Sequence, residues 1–194
     1  YSRQLFYRNE KGLDPGTVSR DKRYVALLKP RTTSDSDIYL LDRHTGKVTN
    51  ITAHEGNVSN TPVEFSPDGT KLLFISDEGR EFKSLRSHGF ATGAKKVVLE
   101  PNWDVWGASY TRSGKYLVVW INEDAAFTTR LYDSESLQEA KLSGLPQGLV
   151  RGLTVSYSDS QMLFYASDGS APQDLYAGPM GGTPQRLTNA LNPS

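Results

Sequence analysis

The chain has 194 residues, enough for one domain with a continuous apolar core. Its 22 Lys and Arg balance 22 Asp and Glu, and no basic patch offers itself to phosphates, so no nucleic-acid partner is expected. The absence of cysteine excludes disulfides, thiolate metal sites and a cysteine nucleophile but leaves the compartment open, and no apolar run approaches the roughly 18 residues of a membrane span.

In chain order, Gln4-Leu5-Phe6-Tyr7 reads first, as the third strand of a preceding, incomplete unit, and YSRQLFYRNE lacks the residue order of a signal peptide. A tight turn, Ser19-Arg20-Asp21-Lys22, follows, then an apolar strand from Tyr24 to Leu28 and another at 37–42, DIYLLD. Thr45-Gly46-Lys47 turns the chain into a fourth strand. The same order returns with Val63-Glu64-Phe65, Ser66-Pro67-Asp68-Gly69, Leu72 to Ile75, SLRS at 84–87 and Thr92-Gly93-Ala94. In the second of these, proline presets φ and glycine accepts the positive φ that a reversal into a hairpin needs. A third copy runs through Thr111-Arg112-Ser113-Gly114, Leu117 to Ile121, RLYD at 130–133 and Ser134-Glu135-Ser136. A fourth runs through Ser156-Tyr157-Ser158-Asp159, Met162 to Ala166, DLYA at 174–177 and Gly181-Gly182-Thr183.

Turns beginning at Ser19, Ser66, Thr111 and Ser156 recur about every 45 residues, the period of a four-stranded propeller blade. No window longer than about ten residues sustains a 3.6-residue apolar period, and β-branched and aromatic residues fill the runs between turns. The predicted fold is therefore all-β: β-propeller blades of four antiparallel strands, about four of them, at 17–56, 60–104, 106–149 and 151–190, with 1–16 a remnant of a preceding blade. Stacking lets each twisted sheet bury its faces on its neighbours. A row of four blades leaves two faces uncovered, which favours an arc of a larger propeller over a closed ring of four and invites self-association through exposed blade edges.

FSPDGTKLLFIS and DLYAGPMGGTPQRLT are similar to the propeller repeat of TolB. NITAHEGNVSNTPVEFSPDG, WDVWGASYTRSGKYLVVWINEDA and RLTNALNPS more specifically resemble the N-terminal propeller of bacterial prolyl oligopeptidase family serine peptidases. The resemblance implies a parent peptidase whose α/β-hydrolase domain carries a Ser-Asp-His triad, with the propeller restricting which peptides reach it. Within this sequence no G-x-S-x-G elbow occurs, and Gly107-Ala108-Ser109-Tyr110-Thr111 comes nearest. The resemblance thus implies a non-catalytic segment, with the hydrolase domain and a peptide substrate as partners. The alternative is a TolB-like scaffold that binds another protein and has no enzyme attached. The resemblance points to bacteria, periplasm or secretion being favoured over cytoplasm.

His44, His54 and His88 are the only candidate bases; each is flanked by turn residues, so they read as solvated loop residues. They lack metal-ligand spacing, and neither Asp35-Ser36-Asp37 nor Asp77-Glu78 has the alternating oxygen ligands of a calcium loop, so neither metal nor cofactor is expected. Strand alternation places the loops between second and third strands on the same side as the connections between blades. That side collects Asp35, Asp37, Asp77, Glu78, Arg80, Asn122, Glu123, Asp124 and Asp168, with His54, Glu55, Trp103 and Asp104. Such a net acidic rim would hold a cationic or amine-bearing peptide end, although Asp, Asn and Glu are also what hairpin loops are made of. The residues singled out for peptide or partner binding are Glu78, Arg80, Trp103, Asp104, Asn122, Glu123 and Asp124. Trp103 is open to either stacking on a ligand or packing, whereas Trp106 reads as packing between blades.

Overall fold

The computed structural model describes residues 5, 7–140, 142, 149–167 and 171–190, and among them there is no helix. Sixteen strands form four antiparallel sheets of four, each in simple chain order. The first sheet comprises β1 (Asp14–Val18), β2 (Tyr24–Thr32), β3 (Asp35–Asp42) and β4 (Lys47–Asn50). The second comprises β5 (Asn60–Phe65), β6 (Lys71–Ser76), β7 (Ser84–Gly89) and β8 (Lys95–Leu99). The third comprises β9 (Asp104–Tyr110), β10 (Tyr116–Glu123), β11 (Ala126–Asp133) and β12 (Glu139–Ala140), and the fourth β13 (Leu149–Val155), β14 (Gln161–Ser167), β15 (Asp174–Pro179) and β16 (Gln185–Arg186). Leu5 and Tyr7 lie outside any strand, and the first sheet begins at Asp14.

One hydroxyl builds the first turn of every sheet. The side-chain oxygens of Ser19, Ser66, Thr111 and Ser156 accept the backbone amides of Tyr24, Lys71, Tyr116 and Gln161 at 2.8, 3.1, 3.1 and 3.1 Å. The same four residues donate their own amides to the carbonyls of those partners, so each turn is locked from both sides. The hydroxyl of Ser19 donates to Asp21 and that of Ser66 to Asp68, while Ser113 and Ser158 take that place in the third and fourth turns. The last turn position is left-handed throughout: Lys22 at φ 62°, Gly69 at 69°, Gly114 at 85° and Asp159 at 56°. The turns also touch one another. A side chain at Gly114 would meet Pro67 Cγ at 2.8 Å, and Ser113 Oγ donates to Asp159 at 2.7 Å. Arg20 reaches beyond the neighbouring sheet's turn to the carbonyls of Arg112 and Thr111, at 3.1 and 3.4 Å.

The core lies between sheets. Ala26, Ile38, Phe65, Leu72 and Phe74 fill the space between the first two sheets. Leu73, Ile75, Leu85, Val105, Val119 and Ile121 fill the next, and Val118, Leu131, Val150, Leu153, Met162 and Phe164 the third. In β6 consecutive residues Leu72 to Ile75 are all buried, because Leu72 and Phe74 face one neighbour and Leu73 and Ile75 the other. The first strands β1, β5 and β9 stand side by side on the inner edge. Gly16 permits this, since a Cβ there would meet Pro62 Cγ at 2.9 Å and the Ala26 carbonyl oxygen at 3.0 Å.

The two ends differ. The outer face of the first sheet, Val25, Leu27 and Leu41, is covered by Tyr7 and Leu13, so one of the two faces expected to be bare has its own cover. In β14 burial alternates instead: Met162, Phe164 and Ala166 are buried, while Leu163 and Tyr165 are 41% and 49% exposed. The far face of the fourth sheet is therefore open among the described residues.

Candidate functional site

The loops between second and third strands do meet the connections between sheets. His54 Nε2 lies 2.9 Å from Asp35, Asp77 accepts the Ser59 amide at 2.8 Å, Arg80 pairs with Glu100 at 3.0 Å, and Asp104 accepts the Lys83 amide at 2.8 Å. Each contact joins the region between the second and third strands of a sheet to a segment that connects two sheets, which fixes the rim on one side of the molecule.

Most of the rim charge is compensated locally. Glu78 pairs with Arg86 at 2.8 Å and with Lys95 at 3.1 Å. Glu123 pairs with Arg130 and accepts the Thr128 hydroxyl at 3.0 Å. Arg31 pairs with Asp37, and Arg186 with Asp174. Asp37, Ser84, Thr129 and Asp174 occupy comparable buried positions on the third strands. Two of them organise the chain that follows the fourth strand: Ile38 and Leu175 donate their amides to Thr52 and Thr188 at 2.7 and 2.9 Å, and Thr188 in turn donates to Asp174 at 2.9 Å. Burial alone would raise the Asp174 carboxyl, but the Ala190 amide, the Thr188 hydroxyl and the Arg186 guanidinium together hold it below the usual carboxylate range.

The other rim residues are placed as follows. Asn122 is the cross-strand partner of Asp104, and Asp124 with Ala125 forms a two-residue hairpin loop with both φ positive, 47° and 62°. Trp103 is 40% exposed and packs against Phe82 with ring centroids 6.0 Å apart. Asp168 lies outside the described residues. The arginines and lysines that pair these carboxylates were not singled out from the sequence. Their signal is an Arg on the outer strands, in SLRS, TTRLYD and QRLT, set across the sheet from an acidic loop.

Two sequence readings are corrected. Only His44 is a solvated loop residue; the His54 side chain is 3% exposed, and His88 is buried within β7. Repetition marks where turns fall, and it does not reveal that the segment after β4 folds inward over Asp35 and Asp37. His54 Nδ1 faces the Thr52 carbonyl at 2.8 Å while Nε2 faces Asp35, so only the imidazolium satisfies both acceptors. Burial opposes that charge, but the Thr52 carbonyl, Asp35 and Asp37 outweigh it and raise the His54 pKa. Burial, with Lys95 nearby, lowers that of His88. Among the described residues, no hydrogen bond joins either histidine to a serine hydroxyl.

The second correction concerns Trp106, which is 65% exposed. It sits in β9 where the register with β10 shifts, on the inner-edge strand, so it escapes the core while Val105 and Ala108 on either side are buried. Its ring meets Phe127 edge-on, with centroids 5.5 Å apart and planes at 75°.

Solved structures with this arrangement place the fold. TolB from Acinetobacter baumannii matches with a TM-score of 0.63 at 22% identity, over 91% of this chain and 43% of that one. A prolyl endopeptidase matches at 0.71 and 17%, over 92% and 29%. A puromycin-hydrolysing peptidase from Mycobacterium tuberculosis matches at 0.72 and 14%, over 97% and 30%. The four sheets are propeller blades. The chain spans less than half the length of each of these three proteins. No protein-family model and no curated protein sequence matches it. Within the propeller frame, the first strands are the innermost of each blade, and Trp106 on β9 belongs to the inner wall.

Proposed function

We propose that the chain is the non-catalytic propeller segment of a prolyl oligopeptidase-like serine peptidase, where it filters the peptides that reach the active site and docks to an α/β-hydrolase domain. The observation carrying this reading is the fit of 97% of the chain to a peptidase of which it spans 30%, at a TM-score of 0.72. A propeller whose inner strands are braced at the turn side by Arg20 restricts passage by shape. The rim residues Glu78, Arg80, Trp103, Asp104, Asn122, Glu123 and Asp124 are the ones an entering peptide would pass. Because Glu78 and Glu123 are held by Arg86, Lys95 and Arg130, the filter is more steric than electrostatic.

A TolB-like binding scaffold is the second reading, supported by the 22% identity to the Acinetobacter protein. One experiment separates the two. The complete protein that carries this chain, treated with a fluorophosphonate, is expected to be labelled at a serine outside residues 1–194 and to lose peptide cleavage. A label inside residues 1–194 would sink the non-catalytic assignment, and a protein that neither labels nor cleaves peptides would establish the scaffold.

A further inference from the structure

Arg151 differs from the other arginines at the rim. Arg31, Arg80, Arg86, Arg130 and Arg186 each pair with a carboxylate. Arg151, exposed on the innermost strand β13, instead lies over the ring of Phe127 at 5.7 Å, and no carboxylate pairs with it among the described residues. Phe127 belongs to the preceding blade, on β11, and carries Trp106 on its other contact. A guanidinium is planar, and one backed by an aromatic face leaves its edge donors free, the geometry that grips a carboxylate with two parallel hydrogen bonds. Beside it the exposed indole of Trp106 offers an apolar surface with no partner other than Phe127 in the described contacts.

We propose that Arg151, Phe127 and Trp106 form a binding site on the inner wall for the free C-terminus of a peptide ending in an aromatic residue. The carboxylate docks on Arg151 and the terminal ring lies against Trp106. Arg151 and Trp106 both contact the Phe127 ring, at 5.7 and 5.5 Å from its centre, so the last one or two residues of an extended chain, at about 3.5 Å each, together with their side chains span the two groups. This inference rests on the peptide-filtering reading and names the end of the peptide that the filter holds.

The test uses the complete protein, inactivated with a fluorophosphonate, and three probes titrated by calorimetry: acetyl-Gly-Pro-Phe with a free carboxylate, the same peptide as its C-terminal amide, and acetyl-Gly-Glu-Phe amide. The free acid is expected to bind about 10-fold or more tightly than its amide, the size of effect a charge-assisted hydrogen-bond pair carries. Arg151→Gln should bring that ratio close to 1. Trp106→Ala should weaken acid and amide alike and keep the ratio. Both positions are exposed, so circular dichroism of the variants should match the parent. A ratio near 1 in the parent, or one that survives in Arg151→Gln, overturns the site while leaving peptide binding intact. Tightest binding of the Glu-containing amide overturns the assignment to a C-terminus in favour of an acidic side chain. Failure of all three probes to bind counts against the peptide-filtering reading itself.

Discussion

His54 sits with both ring nitrogens against acceptors, so folding favours its protonated form, whereas burial of His88 beside Lys95 favours the neutral one. The consequences for stability have opposite signs. The His54 contribution is complete below the unfolded value of about 6.5 and is lost as pH rises through its raised folded value. The His88 contribution is complete above about 6.5 and is lost as pH falls toward its depressed folded value. Urea midpoints measured across this range should show His54→Gln flattening the alkaline decline and His88→Asn flattening the acid one. If each variant only shifts the whole curve, the two protonation states are wrongly assigned. Neither environment was legible in the sequence, where a histidine between turn residues looks solvated. The contacts of His54 reach back 19 residues to Asp35, a distance that the propeller repeat alone does not expose.

At the scale of the element, the first turn of each blade was legible because one hydroxyl and one left-handed position do the same work four times. Ser66-Pro67-Asp68-Gly69 states that chemistry outright, and spacing identified the other three copies even where Lys22 and Asp159 stand in place of glycine. An L-residue held left-handed costs about 1–2 kcal/mol, partly offset by the extra backbone entropy that glycine loses on folding. Lys22→Gly should therefore stabilise the protein by about 0.5–1 kcal/mol, and Asp159→Gly by less, since Asp tolerates this region better. Gly114→Ala should destabilise, because the new methyl lands 2.8 Å from Pro67 Cγ of the neighbouring turn. Thermal melts of the three variants check the order; a stabilising Gly114→Ala would mean that the turns are not in contact. Loop interiors were harder to read. A register shift in β9, invisible in the pattern of residues, is what turns Trp106 outward.

Across the whole molecule, sequence spacing was sufficient for four blades because each must bury what its neighbour offers, and it was insufficient for the ends, where cover comes from outside the repeat. Tyr7 and Leu13 close one end face, and Leu163 and Tyr165 stand open on the other. The strand β14 makes this measurable within four residues. Phe164→Ala should cost about 3–5 kcal/mol, whereas Leu163→Ala should stay within about 0.5 kcal/mol by urea denaturation. The double change Leu163→Glu and Tyr165→Glu should leave the fold intact and reduce any concentration-dependent association in sedimentation. Equal losses from Phe164→Ala and Leu163→Ala would show that the open face is covered in solution.

Arg20 has a mechanical bearing on how such a row of blades moves. By fastening the first turn to the third, it ties three vanes at one pole, while Ser36 donating to the Asn60 carbonyl, the Lys83 amide to Asp104 and Thr129 to the Val150 carbonyl tie neighbouring vanes at the other, so neither pole can splay without breaking bonds between blades.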